Sequence, residues 1–105
     1  MGRFDVYRNS GSLAEAVPFV VEVQNDLLDP LDTRVVIPLR RLSRFPTRQL
    51  PSRLTPLFEV EGVTCLLETP KIAAVPLRLL KSRVTSLQPQ QAEITAALDY
   101  LFQGY

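Results

Sequence analysis

Hydrophobic and polar positions along the first forty residues follow the two-residue period of β-strands. The segment Arg3–Tyr7 alternates with this period and predicts a first strand. Val17–Gln24 is apolar almost throughout, so we expect a second strand in the middle of a sheet, with Pro18 near its start. Arg34–Leu39 predicts a third strand, in which Pro38 indicates a sheet edge or a bulge.

The second half of the chain predicts a hairpin and a further extended segment. Leu57–Glu61 and Val63–Glu68 are two predicted strands around a tight turn at Glu61-Gly62. Lys71–Pro76 then leads into Leu77–Leu80, which we expect to be the last extended stretch. The segment Asn25–Thr33, between the second and third predicted strands, predicts a loop. It contains a proline, and the residue before a proline avoids the helical region.

The end of the chain predicts an amphipathic helix. Pro89 suits the first helical position, and Gly104 suits the position that ends a helix. Apolar residues recur at the spacing of one helical face, which we expect to join the core: Ile94, Ala97, Leu98, Leu101 and Phe102. The predicted fold is therefore mainly β, an antiparallel barrel or sheet of at least five strands packed by one C-terminal helix.

Composition narrows the class of protein. A chain of 105 residues predicts one domain, spanning 1–105, and its 46% hydrophobic and 22% charged residues are typical of a globular protein. So short a chain buries a modest fraction of its surface, and forming a dimer would add stability. The net charge of +1 argues against a protein built to neutralise phosphates, and we expect no direct sequence-specific nucleic acid binding.

Several residue types are missing or rare. The chain has no His, the commonest general base, and a single Cys, so neither an internal disulfide nor a cysteine zinc site is expected. Neither a basic-then-apolar leader nor an apolar run of membrane-spanning length is present. We therefore expect a cytoplasmic protein without a membrane partner.

Three carboxylates, those of Asp26, Asp29 and Asp32, are close in sequence and are the candidate ligands for a divalent cation. Aspartates in a loop more often cap turns or face water, and this is the interpretation we favour. Cys65 lies in a strand pattern without an evident activating base, so a buried small hydrophobe is expected rather than a nucleophile.

Arginines are concentrated between Arg40 and Arg53, a stretch without an acidic residue. Such a stretch can hold a nucleic-acid backbone, but Phe45 is its only aromatic residue, and a solvated basic loop is favoured. A ribonuclease without His would need an arginine with a carboxylate or hydroxyl; Arg34, Arg40 and Arg41 are candidates that no spacing singles out.

Large apolar side chains persist to the last residue, where most chains are polar and frayed. The sequence ends Leu101-Phe102-Gln103-Gly104-Tyr105 directly after the predicted helix. An exposed apolar tip is a candidate binding site, and Tyr105 folding back on its own barrel is the alternative.

Several segments, taken in order, resemble the CcdB family of toxins over essentially the whole chain. The segment Glu22–Asp29 (EVQNDLLD) resembles the family's acidic-V-Q-S/N-D-aliphatic-aliphatic-D pattern, and Arg34–Leu39 (RVVIPL) matches its R-x-V-I-P-L strand. Three weaker matches agree with these: Phe4–Tyr7 (FDVY), Ala73–Pro76 (AAVP), and Phe102 with Gly104 at the chain end.

The resemblance implies a fold, an activity and partners. It implies an SH3-like barrel with added strands and a C-terminal helix, acting as a homodimer. It further implies the toxin of a type II toxin–antitoxin module, which binds the A subunit of DNA gyrase and traps the enzyme on cleaved DNA. A CcdA-like antitoxin would wrap the toxin with a flexible segment. No catalytic residue, cofactor or metal is implied.

The resemblance also implies two sets of binding residues. Those for gyrase are Phe102, Gln103, Gly104 and Tyr105, and those for the antitoxin are Leu27, Leu28, Asp99 and Phe102. Well-known members end in Trp-Gly-Ile, so Gln103 and Tyr105 depart from the family, as does Asp99, where an Asn is typical. A lost Trp anchor removes binding energy that a rigid Tyr restores in part.

Two alternatives remain open at the level of sequence. The same fold carries endoribonuclease toxins of the MazF and Kid type, so fold alone does not settle the activity. The second alternative is a relic that binds an antitoxin but has lost gyrase activity through the changes at Gln103 and Tyr105.

Overall fold

A curled antiparallel sheet of seven strands and one C-terminal helix make up the fold in a computed structural model, which describes residues 2–45 and 50–104. The strands run in the order β4-β5-β3-β2-β1-β7, and β6 pairs with β3 beside β5. The predicted mainly β fold with a C-terminal helix is thus confirmed. The elements are β1 Asp5–Arg8, β2 Phe19–Glu22, β3 Thr33–Arg41, β4 Leu57–Val60, β5 Val63–Leu67, β6 Ala73–Pro76, β7 Arg83–Ser86 and α1 Gln91–Gln103.

Strand β3 is the branch point of the sheet. Its middle residues, Val36–Leu39, pair on one side with β2, which is mid-sheet as predicted, while its other side is shared by β6 near its start and β5 near its end. The carbonyl of Pro38 accepts a hydrogen bond from the Glu68 N–H at 2.9 Å, so the missing N–H of Pro38 faces the gap between β6 and β5. The prediction of an edge or a bulge at Pro38 is wrong, because β3 is an interior strand that changes partner there.

The hairpin of β4 and β5 has the predicted turn. Val60 pairs with Val63, which leaves Glu61 and Gly62 as a two-residue loop. Both have positive φ, 51° at Glu61 and 78° at Gly62, as the mirror-image turn of a two-residue hairpin requires.

The first strand begins later than predicted. β1 starts at Asp5 because Phe4 adopts a left-handed conformation with φ 72°, which is rare for a bulky residue. The Phe4 N–H donates to the Glu22 carbonyl at 2.6 Å, and the ring is buried in the core. The turn of the backbone thus places Phe4 in the core and leaves Asp5–Arg8 to pair with both β2 and β7.

The segment after β6 differs most from prediction. Leu77–Leu79 forms a 3-10 turn rather than the expected extended stretch, and the last strand is β7 at Arg83–Ser86. None of the β7 residues is fully buried, so the strand lacks the apolar alternation that would have predicted it. Its position is fixed by pairing with β1 and by an ion pair between Arg83 and Asp5 at 3.1 Å.

The apolar face predicted for the C-terminal helix is confirmed in part. A 3-10 turn at Gln88–Gln90 contains Pro89, so α1 begins at Gln91, two residues later than predicted. Ile94 and Ala97 are buried in the core and Leu98 packs against it, whereas Phe102 is exposed. Among the described residues no helix is long and apolar enough to cross a membrane.

The main core lies between the curled sheet and the helix. It is formed by side chains from the strands together with Ile94 and Ala97 of the helix. The strand residues at its centre, all at most 1% exposed, are Val6, Val21, Ile37, Leu39, Val60, Cys65 and Leu67. Cys65 is therefore a small core hydrophobe, as predicted, and burial raises the pKa of its thiol.

Candidate functional site

A loop between β2 and β3 presents apolar side chains to solvent. We call residues 25–32 the apolar loop. Leu27 is 85% exposed, Leu28 48% and Leu31 51%, although each would gain free energy by leaving water. Three exposed leucines within five residues form the kind of patch that marks a binding surface. Leu27 and Leu28, the pair expected to contact an antitoxin, are thus accessible.

Hydrogen bonds between neighbouring residues hold the backbone of the apolar loop in tight turns. The Asn25 side-chain oxygen accepts from the Leu27 N–H at 2.8 Å, which caps a 3-10 turn over Asp26–Leu28. Further turn bonds run from the Leu28 N–H to the Asn25 carbonyl and from the Leu31 N–H to the Leu28 carbonyl. The loop is therefore a series of short turns rather than an irregular connection.

Two buried side chains support the apolar loop from beneath. Gln24, which is 7% exposed, donates to the Leu28 carbonyl at 3.3 Å and accepts from the Val35 N–H at 3.0 Å. Arg34, which is 3% exposed, donates through its guanidinium to the carbonyls of Leu31 and Asp29 within the loop and of Thr33 beside it. The carbonyls of the loop thus face inward while its leucines face outward.

Arg34 also forms a buried ion pair with Glu22. The guanidinium Nε lies 3.4 Å from the Glu22 carboxylate, which is completely buried. Burial raises the pKa of Glu22 to about 6, because the charged carboxylate loses its hydration, and the positive charge of Arg34 partly opposes this rise. The same carboxylate adds to burial in raising the pKa of Tyr7 to about 12.

The acidic group that forms is not the one expected from the sequence. Carboxylate oxygens of Glu22, Asp26 and Asp29 lie within 4.8 Å of one another, so Glu22 takes the place that was expected for Asp32. Arg34 Nη2 lies 3.7 Å from the Asp29 carboxylate, and Asp26 accepts from the Arg3 N–H at 2.7 Å. The group is therefore contacted by one arginine and one backbone donor, both within the protein.

The end of the helix is the second apolar surface. Phe102 is 72% exposed, and Gln103 and Gly104 beside it are also exposed. Gly104 ends the helix with φ 81°, and its N–H donates to the Tyr100 carbonyl at 2.9 Å. Of the four residues expected to contact gyrase, these three are accessible, and Tyr105 lies outside the described residues.

The predicted antitoxin residues come from separate elements. Asp99 is exposed on α1, on the last turns of the helix that also carries Phe102. Within residues 2–45 and 50–104, no hydrogen bond or ion pair joins the apolar loop to this helix, which buries Ile94 and Ala97 in the main core. The loop and the helix end are thus two surfaces built independently.

The basic stretch is balanced by acids from other parts of the chain. Arg40 pairs with Glu68 at 2.9 Å, and Arg44 pairs with Glu15. The Arg53 guanidinium lies 5.7 Å from the centre of the Tyr100 ring on α1, within the range of a cation–π contact. Arg48 lies outside the described residues. Two arginines of the stretch thus form ion pairs with acids elsewhere in the chain.

The fold and these two surfaces define a small mainly β protein with a C-terminal helix, whose distinctive exposed groups suit binding to other macromolecules. A family model described as CcdB protein matches residues 3–104 of the 105-residue chain. The chain therefore belongs to the CcdB family, and membership implies the toxin of a toxin–antitoxin module, a class that typically targets DNA gyrase.

Proposed function

We propose that this protein binds the A subunit of DNA gyrase through the end of its C-terminal helix and traps the enzyme on cleaved DNA, without catalysis of its own. The observation that carries the proposal is the exposure of Phe102, 72% free at the last turn of α1, in a chain that belongs to the CcdB family. A large aromatic side chain held on a rigid helix is a typical anchor for a protein groove.

The neighbours of Phe102 complete the proposed gyrase surface. Gly104, with its positive φ, ends the helix directly after Phe102 and Gln103. Gln103 is exposed and polar, and it supplies hydrogen bonding where well-known relatives have a Trp. The gyrase-binding set that we propose is Phe102, Gln103, Gly104 and Tyr105.

A CcdA-like antitoxin is the second proposed partner. Leu27 and Leu28 on the apolar loop offer an apolar track for a flexible segment of the antitoxin, with Phe102 as a further apolar contact. Asp99 adds a negative charge, which favours a basic or hydrogen-bond-donating residue in the antitoxin. The exposed leucines support this assignment, because a free surface of this kind gains free energy when a partner covers it.

We further propose that the chain is a single domain that acts in the bacterial cytoplasm as a homodimer. Gyrase is two-fold symmetric, and a dimer presents each binding surface twice, so one dimer matches two A subunits. The arginines considered for a ribonuclease are engaged within the protein: Arg34 beneath the apolar loop, Arg40 with Glu68, and Arg41 with the Glu15 carbonyl. Their contacts favour binding over RNA cleavage.

The test is a cleavage assay with supercoiled plasmid, purified gyrase, ATP and this protein. Linear DNA released by protease and detergent measures trapped complexes. We expect linear DNA with the intact chain and none after deletion of residues 103–105. Leu13→Ala, which trims another exposed apolar residue (65% exposed), is the matched control and should leave the yield unchanged. Absence of linear DNA with the intact chain, or cleavage of RNA that survives the deletion, would overturn the proposal.

A further inference from the structure

One buried cation, Arg34, contacts the backbone of the second half of the apolar loop. Within residues 25–32, the carbonyls of Asp29 and Leu31 both accept hydrogen bonds from the Arg34 guanidinium, the first at 2.8 Å. The Thr33 carbonyl, where the loop enters β3, is a third acceptor at 2.9 Å. One side chain thus bonds to two carbonyls in the second half of the loop and to a third at the first residue of β3.

Arginine is suited to this role and lysine is not. The guanidinium is planar, always charged, and carries five N–H donors in a fixed fork. Here Nη1 and Nη2 take the three carbonyls, while Nε faces the Glu22 carboxylate at 3.4 Å. A lysine ammonium has three donors on a single nitrogen and cannot span the same set of acceptors.

The orientation of the leucines follows from that of the carbonyls. The carbonyls of Asp29 and Leu31 bond to Arg34 and that of Leu28 to Gln24, while Leu31 is 51% exposed and Leu28 48%. Leu27, 85% exposed, precedes them in the capped turn. An unsupported loop would turn these apolar side chains toward one another or toward the sheet, which buries more apolar surface.

We propose that Arg34 is a positioning residue for partner binding, which holds the apolar loop in the one conformation that displays Leu27 and Leu28 to the antitoxin. This inference rests on the proposed function, in which the antitoxin docks on these leucines. Arg34 itself is buried and touches no partner; it acts by raising the fraction of molecules whose loop is ready to bind. The apparent affinity of a partner scales with that fraction.

The experiment separates positioning from general stabilisation by a double-mutant cycle. A peptide spanning the flexible segment of the cognate CcdA-like antitoxin is titrated against the full-length wild type, Arg34→Lys, Leu27→Ala/Leu28→Ala, and the combination of all three changes. Unfolding in urea is followed for each variant. Ile94→Val, a change on the buried face of α1, serves as a destabilised control outside the loop.

We expect Arg34→Lys to weaken peptide binding about tenfold, the effect of a tenfold smaller competent fraction. This loss should disappear in the Leu27→Ala/Leu28→Ala background, while the loss of stability persists there. Amide exchange at Leu28 and Leu31 should accelerate in Arg34→Lys, because both amides bond within the loop. Ile94→Val should lower stability and leave peptide affinity unchanged.

Two results would overturn the inference: unchanged affinity in a folded Arg34→Lys protein, or an equal loss of affinity with and without the leucines. If Arg34→Lys does not fold, Gln24→Ala removes the donor to the Leu28 carbonyl and the acceptor of the Val35 N–H while leaving the Glu22–Arg34 pair in place, and it should weaken binding in the same direction. A wild type that fails to bind the peptide would refute the proposed antitoxin site itself, which is a different result from a failure confined to Arg34.

Discussion

Glu22 and Arg34 meet at 3.4 Å in a place that water does not reach, with the carboxylate side chain 0% exposed and the guanidinium side chain 3%. Arg34 spreads its remaining donors over loop carbonyls, so the carboxylate receives only part of the positive charge. Neither Glu22 oxygen has a hydrogen-bond partner within the described structure. Ionisation of Glu22 is therefore less favourable in the folded protein than in the unfolded chain.

Stability should consequently fall as pH rises through the titration of Glu22. Its pKa is about 6 in the folded protein against an ordinary 4.5, so the folded state binds the proton more tightly. The contribution is fully present below pH 4.5 and is lost by about pH 6, a change of about 2 kcal/mol. Urea unfolding of the wild type and Glu22→Gln across this window isolates the effect. A difference between the two proteins that stays constant with pH would contradict it.

Phe102→Ala should strongly weaken gyrase trapping and leave the fold intact. Because the side chain is 72% exposed, its removal should change the free energy of unfolding by less than about 0.5 kcal/mol. Loss of an anchor should raise the protein concentration needed for linear DNA at least about thirtyfold. Ile94→Ala, on the buried side of the same helix, should cost about 2–5 kcal/mol of stability. A Phe102→Ala protein as potent as the wild type would exclude Phe102 as the anchor.

Gln103→Trp should make the protein a stronger gyrase poison. Gln103 is exposed on the last turn of α1, so its side chain is not part of the core. A Trp at a binding surface contributes about 2 kcal/mol or more, which corresponds to roughly a thirtyfold lower concentration for half-maximal linear DNA. Leu13→Trp adds the same aromatic at another exposed position and should have no effect. Equal potency of Gln103→Trp and the wild type would show that position 103 does not contact gyrase.

Two glycines allow a matched test of the helix end. Gly62 and Gly104 have nearly the same backbone, φ 78° and 81°, and neither would bring an added Cβ within 4 Å of another atom. Gly62→Ala and Gly104→Ala should therefore each cost about 1 kcal/mol of stability, from backbone strain alone. Only Gly104→Ala should also weaken gyrase trapping, because the strain redirects the chain end. Equal potency of the two variants would argue against a role for the turn.

Cys65 should react with a thiol reagent only when the protein unfolds. Its side chain is 0% exposed and burial raises its pKa, so both access and thiolate formation are suppressed. The labelling rate should follow the unfolding rate and become rapid above the urea midpoint. Leu13→Cys supplies an exposed thiol that should label at once in the folded protein, and comparably fast labelling of native Cys65 would contradict its burial.

Most of the sheet could be predicted from the sequence, because its central strands carry the apolar pattern of a buried sheet. β2, β3 and the hairpin were placed to within a few residues, and the helix to within two. β7 was missed since its four residues are only half-buried or exposed, and pairing with β1 decides its conformation. The left-handed Phe4 was also beyond prediction, because the contact that stabilises it comes from Glu22 on another strand.

The exposed residues of the site could be predicted from the sequence, whereas the buried residues beneath the apolar loop could not. Leu27, Leu28 and Phe102 were singled out by sequence, and each is exposed. The acidic group was predicted to contain Asp32, but Glu22 takes its place. Glu22 and Asp29 become neighbours only once β2 and the loop are folded. Arg34 was considered for catalysis, whereas in the structure its guanidinium bonds to carbonyls of the apolar loop. The sequence could not predict its pair with Glu22, because the two residues become neighbours only when β3 pairs with β2.

Pro38 limits how β5 and β6 can align along β3. A strand with continuous donors on one side would let a neighbour slide along it by two residues and keep its side-chain pattern. On the side of β3 that faces β5 and β6, an imino acid interrupts the donors between Val36, the last residue paired with β6, and Leu39, the first paired with β5. Neither strand can slip across that position without losing a ladder bond. A single proline therefore keeps β6 at the first half of β3 and β5 at its second half. Sheets with either strand out of register are disfavoured as the chain folds.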